Sequence, residues 1–156
     1  MLISVCVCTY RRMSVVETLA SIAAQVLPPG WRTEIVVVDN DEAGSAEPAV
    51  RDWCARNTVP VRYVVQPIRN IAATRNRTLE LARGDWLAFI DDDERANPTW
   101  LDHLTKTAER HDADIVIGNV IALYPPSAPE WMRQADPLSR DWGTTGQDLL
   151  TGSTAN

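Results

Sequence analysis

The sequence predicts an α/β fold with a mostly parallel central sheet, and three observations carry that prediction. Short β-branched apolar runs alternate with segments of helical period over the first 120 residues. The runs are continuous rather than alternating, as in strands buried on both faces. Four of them end in polar clusters, "CTYRR", "DND", "QPIRN" and "DDDE". In such folds the carboxyl ends of the strands form one rim, where ligands bind.

"LISVCVC" (2–8) is the first strand. "VVETLASIAAQV" (15–26) sets Val15, Leu19, Ile22, Ala23 and Val26 on one helical face, and Pro28, Pro29 and Gly30 end it. "TEIVVVD" (33–39) is the second strand, followed by a polar loop and a helix from about Ala49 to Arg56. "VRYVVQ" (61–66) is the third strand, and "NIAATRNRTLELARG" (70–84) is a helix stopped by Gly84. "DWLAFID" (85–91) is the fourth strand. Asn97-Pro98 reads as a cap and a first-turn proline for a helix running to about His111. "DIVIGNV" (114–120) is a fifth strand. Beyond it, a Pro, Trp, Ser and Gly-rich stretch holds a short helix around Glu130 to Gln134, and "LLTGSTAN" opens another strand.

Composition narrows the function. The chain of 156 residues suits one domain with a real core. Its net charge of −6 argues against a nucleic-acid partner. Lys106 is the only lysine, so the cationic groups are arginines, suited to bidentate pairing with carboxylate or phosphate. Cys6, Cys8 and Cys54 are odd in number, and the C-x-C pair has no second half, so reduced thiols are expected rather than a zinc site. "MLISVCVC" has no basic leader and no apolar run approaches the ~18 residues of a membrane span. The cytoplasm is therefore the expected location, with peripheral association at the inner face of the membrane left open.

The acidic cluster Asp91, Asp92, Asp93 and Glu94 ends the fourth strand. On an extended end, Asp91 and Asp93 point one way and Asp92 the other. Two same-side carboxylates suit Mg²⁺ or Mn²⁺, which takes one or two carboxylates plus substrate phosphates. The competing reading is a solvated acidic turn capping the next helix. Arg75 shares a helical face with Ile71, Leu79 and Ala82 and needs a partner, either a diphosphate or a rim aspartate. Asn76, at the edge of that face, could orient the loop. Asp39 is placed to accept from a ribose hydroxyl or a base N–H, and Asp41 does the same or simply sits in the turn. Thr9, Tyr10 and Arg11 are candidates for a base pocket. No glycine-rich phosphate loop occurs, so phosphates fall to metal and arginine. His103 and His111 read as surface residues. Trp131 and Trp142 are candidates to line an acceptor groove.

The set "SVCVCTYRR", "EIVVVDN", "RNIAATRNRTLELARGDWLAFIDDDE" and "NPTWL" resembles the family 2 glycosyltransferases over roughly residues 2–120. The resemblance implies a GT-A fold, a Rossmann-like three-layer sandwich. It implies a nucleotide-diphospho-sugar-binding half over 1–120 and the start of an acceptor-side region over 121–156. It also implies inverting, metal-dependent transfer of a sugar from a nucleotide diphosphate sugar, a UDP-sugar first, to a glycan, polysaccharide or lipid-linked acceptor. Carried over by motif, Thr9, Tyr10 and Arg11 lie in the base-binding loop and Asp39 binds base or ribose. Arg69 and Arg75 lie near base and diphosphate, and Asp92 belongs to the donor set. Asp91 and Asp93 are the D-x-D pair: Asp93 is the main ligand of Mg²⁺ or Mn²⁺, and Asp91 faces ribose or metal.

The family's general base lies in an acidic motif after the strand that "LLTGSTAN" opens, and none follows it. Asp148 precedes that strand and is not assigned. The base is therefore expected beyond Asn156, with this chain a fragment or truncated product. The alternative is a non-catalytic nucleotide-sugar-binding module. A metal-dependent phosphatase or receiver-like domain is weaker, because those tend to place an aspartate at the end of the first strand, where this chain has "CTYRR".

Overall fold

A computed structural model describes residues 1–143. Asp148 and "LLTGSTAN" lie outside the described residues. The chain divides into two compact units, Met1–His103 and a second that starts at Leu104.

In the first unit, four strands form one sheet: β1 (Leu2–Thr9), β2 (Arg32–Asp39), β3 (Val61–Val65) and β4 (Trp86–Phe89). Their order is β3-β2-β1-β4 and every pairing is parallel. β1 therefore sits centrally, with Val5 opposite Ile35 on one side and Ala88 on the other. The chain steps outward from β1 to β3 and then returns to the far side of β1. The strand order thus reverses between β1 and β4, and such a reversal opens a crevice at the carboxyl ends.

Two helices, α1 (Val15–Ala23) and α2 (Glu47–Cys54), cover one face. Ile3, Val5 and Val7 of β1 pack there with Ile35, Val37 and Ala88 against Val15, Leu19, Ile22, Val50 and Trp53. Each large aliphatic side chain buried there contributes roughly 1.5–3 kcal/mol. α1 ends at Ala23, short of the expected Val26, and Val26 is exposed. The Val26 N–H leaves the helical ladder and donates to Pro98 O at 2.8 Å. Gln25 completes this seam, donating to Asn97 O and accepting the Leu101 N–H.

The opposite face carries α3 (Ile71–Leu81). Its buried residues are Thr74 and Thr78, whereas Ile71 and Leu79 are exposed. The apolar stripe read from the sequence is therefore not the packed face. The threonine hydroxyls bond their own helix, at Asn70 O and Arg75 O, which lets them be buried at little cost. On β4, Ala88 faces the core, while Leu87 and Phe89 on the other face are exposed.

Gly84 is not the left-handed stop expected for α3, which ends earlier through an extended Ala82. A Cβ at Gly84 would meet Ser4 N at 2.5 Å and Trp86 O at 2.8 Å. Glycine is needed there because the chain crosses the backbone of β1. Ser4 Oγ accepts the Gly84 N–H at 2.8 Å and donates to Glu34 at 2.6 Å, which fixes that crossing.

α4 (Trp100–His111) follows Asn97-Pro98, and the Asn97 carboxamide accepts the Thr99 N–H as a cap for the entering turn. In the second unit, residues 114–119 do not form the expected strand. Only Val120 pairs, in an isolated antiparallel bridge with Arg140. Ile115 and Ile117 stay exposed, because no neighbouring strand among the described residues offers them a ladder. α5 (Glu130–Ala135) is the expected short helix, and Trp131 on it is exposed. Among the described residues, no helix is long and apolar enough to cross a membrane.

Candidate functional site

The crevice at the β1/β4 reversal is an open cleft of about 400 Å³, within the range of small-molecule sites. Cys8, Thr9, Tyr10 and Arg12 line it from the end of β1, and Asn40 from the end of β2. Arg69 and Asn70 come from the β3–α3 connection, Ile71 and Thr74 from the first turns of α3, and Asp91 and Asp92 from the segment after β4. The sequence clusters thus meet on the expected rim.

The acidic segment is a turn rather than a strand end. β4 stops at Phe89, and the Glu94 N–H donates to Asp91 O at 3.1 Å. The Glu94 carboxylate in turn accepts the Asp91 N–H. Within this turn the three aspartates are not equivalent. Asp92 is turned inward, its side chain 13% exposed, where Thr9 Oγ1 donates to it at 2.7 Å. Asp91 and Asp93 remain outward, at 65% and 61%. Burial pushes the Asp92 carboxyl above its ordinary range, against the lowering effects of Thr9 and Arg12. Burial raises Glu94 as well.

Arginines offset the crowded charge. Arg12 pairs closely with Asp93 and lies 3.4 Å from Asp92. Its bond to Asp93 is the main reason the guanidinium holds its proton more firmly than usual. Arg75 lies 3.7 Å from Asp91, the rim-aspartate partner foreseen as one of its two options. Sequence reasoning left Arg12 unassigned, although its position two residues from Tyr10 was a usable signal.

Across the cleft, the guanidinium groups of Arg69 and Arg11 lie 4.7 and 5.1 Å from the centroid of the Tyr10 ring. Arg11 has φ of 52°, a left-handed conformation uncommon for a non-glycine residue. It reaches Asp41 at 3.4 Å. Asp39 is fully buried. Its carboxylate accepts from Asp41 N–H, Ala46 N–H and Tyr63 Oη at 2.9, 3.0 and 2.6 Å. In this arrangement Asp39 organises the loop after β2 and presents no open face to the cleft. Burial, then the bond to Asp39, pushes the Tyr63 hydroxyl far up. Cys8 is a free thiol raised to about 11, chiefly by burial, so it stays protonated and inert at neutral pH.

Among the described residues, no group of three or more His, Cys, Asp or Glu side chains could hold a metal ion by itself. Two outward carboxylates suit a hard divalent ion that draws its remaining oxygens from phosphates and water. Asp91 and Asp93 could thus supply part of the coordination of Mg²⁺ or Mn²⁺, with the rest left to water and, when bound, a phosphorylated ligand.

The model of the family described as "Glycosyl transferase family 2" matches residues 4–156. The chain is 40% identical over 154 residues to the succinoglycan biosynthesis protein ExoM of Rhizobium meliloti, covering 99% of this chain and 50% of that protein. It is 31% identical over 135 residues to a glucosyl-dolichyl phosphate glucuronosyltransferase of Haloferax volcanii, covering 85% and 40%. The chain thus spans about half, or less, of the length of these relatives. Among solved structures, S. aureus TarS 1-349 in complex with UDP-GlcNAc superposes with a TM-score of 0.67 at 26% identity, over 85% of this chain and 38% of that one. The mannosyltransferase PcManGT of Pyrobaculum calidifontis, in complex with GDP-Man and Mn²⁺, gives 0.59 at 27%, over 80% and 36%.

Proposed function

The chain belongs to glycosyl transferase family 2 with its GT-A fold, and from that premise we propose that it takes part in transferring a sugar from a nucleotide diphosphate sugar, a UDP-sugar first, to a glycan or polysaccharide hydroxyl. The observation that carries the reading is the pairing, in one cleft, of an aromatic and arginine wall at Tyr10 and Arg69 with an aspartate turn that lines it through Asp91 and Asp92. A nucleoside diphosphate has the matching halves: a flat base and an anion.

In this reading Tyr10, Arg11 and Arg69 hold the base side. Arg75 and Arg12, paired here with Asp91 and Asp93, are the cations that would face the diphosphate. Thr9 keeps Asp92 turned inward, and Asp39 keeps the base-side loop in shape. Asp93 and Asp91 would hold a Mg²⁺ or Mn²⁺ ion, which would supply Lewis-acid neutralisation of the leaving diphosphate. The transfer is inverting: the acceptor oxygen bonds to the anomeric carbon as the bond to the diphosphate oxygen breaks, and a carboxylate base takes the acceptor proton. A polysaccharide acceptor is supported by the named role of the Rhizobium relative. The reaction belongs in the cytoplasm, at the inner face of the membrane where the acceptor is lipid-linked.

Calorimetric titration of UDP and GDP, each with Mn²⁺, tests the donor site. UDP binding that Asp93→Ala abolishes is expected. No binding of either nucleotide overturns the reading, and binding without turnover of any donor sugar favours the non-catalytic module.

A further inference from the structure

Asn40 stands directly after β2, and its polar groups are engaged by two other segments of the rim. Its backbone N–H donates to Thr9 O at 2.8 Å, at the end of β1. Its side-chain Nδ2 donates to Gln66 O at 2.8 Å and to Ile68 O at 2.6 Å. Its Oδ1 accepts the Asn70 N–H at 3.0 Å. The carboxamide therefore clamps the whole 66–70 connection to the end of β2, and the backbone N–H ties that end to β1. That connection carries Arg69, whose guanidinium lies over Tyr10, and Asn70, whose side chain caps α3 at the Ala73 N–H. The chemistry demands an amide. Aspartate keeps the acceptor but sets an oxygen against two carbonyls, and serine is too short to serve both sides.

We infer that Asn40 is a positioning residue for donor recognition: it holds Arg69 against Tyr10, so that the base side of the cleft is formed before a nucleotide arrives. The inference rests on the cleft taking a nucleoside diphosphate. Preorganisation of this kind appears as binding affinity, because the loop then has little order left to gain on binding.

The test is a double-mutant cycle of Asn40→Asp and Arg69→Ala, read by calorimetric titration with UDP and Mn²⁺. Each single variant is expected to lose about tenfold in affinity, and the pair about the same tenfold, because both remove one Arg69–base contact. Amide hydrogen exchange on Asn40→Asp is expected to accelerate at Ile68, Arg69 and Asn70 while Val36 and Val37 keep their protection. Asn40→Ser serves if Asn40→Asp does not fold. Losses that multiply across the cycle overturn the inference, as does unchanged UDP affinity in the Asn40 variants, and either result leaves the donor-site reading standing. Failure of the parent chain to bind UDP or GDP overturns that reading, and the inference with it.

Discussion

Thr9 at the end of β1 donates its hydroxyl to the inward carboxylate of Asp92 at 2.7 Å, joining residues that lie 83 positions apart. This bond crosses the strand-order reversal and makes Asp92 the internal support of the turn, distinct from its two outward neighbours. Burial holds the folded-state pKa of Asp92 above its ordinary value of 3.8. A raised carboxyl contributes stability that is complete below the unfolded pKa and lost as pH rises through the folded one. Asp92→Asn keeps an acceptor for Thr9 without the buried charge. Its thermal midpoint relative to the parent should therefore rise between about pH 4 and pH 7. A deficit that is largest at pH 7 would mean that the Arg12 attraction outweighs desolvation.

Much of the fold was legible because β1 and the second half of β2 are nearly continuous apolar runs, a pattern few other environments tolerate, whereas β3 carries Arg62 within its run. β4 was read two residues too far, because hydropathy does not show that Asp91 and Glu94 close a turn on each other. The packed face of α3 was misread because Thr74 and Thr78 count as polar, although their hydroxyls are satisfied within the helix. At the site, the spacing of Asp91 and Asp93 was visible in the string. The role of Asn40 was not, since its side chain meets backbone groups brought in by a distant connection. The burial of Asp39 was equally hidden, because two of its donors are the Asp41 and Ala46 N–H groups.

Removing one hydroxyl tests the Asp39 cluster. Tyr63→Phe leaves the buried carboxylate one donor short at the cost of a single oxygen atom. Urea unfolding should show a loss of about 1–3 kcal/mol. A loss below about 0.5 kcal/mol, at the floor for an ordinary hydrogen bond, would count against Tyr63 as a needed partner.

Gly84→Ala should destabilise by about 1–3 kcal/mol, the range for overpacking, because the new methyl meets backbone atoms of Ser4 and Trp86 that cannot rotate away. Urea denaturation measures this, and an unchanged midpoint would show that the crossing has slack.

In the proposed metal site, Arg12 would compete with a divalent ion for Asp93. Without nucleotide, Arg12→Gln should bind Mn²⁺ about fourfold more tightly, the effect of removing one unit charge near 5 Å in high dielectric. Water-proton relaxation with added Mn²⁺ reads this directly. Weaker ion binding in the variant would contradict the competition.

The central position of β1 has a kinetic consequence. Its partner on one flank, β2, begins at Arg32, but the other flank waits for Trp86 to Phe89. During synthesis β1 is made well before β4 and is completed only with it, and its ladders join residues far apart in sequence. High contact order of this kind slows folding. The nascent chain therefore carries an open, strongly apolar strand edge until β4 has left the ribosome, and chaperone shielding of residues 2–9 should matter most in that interval.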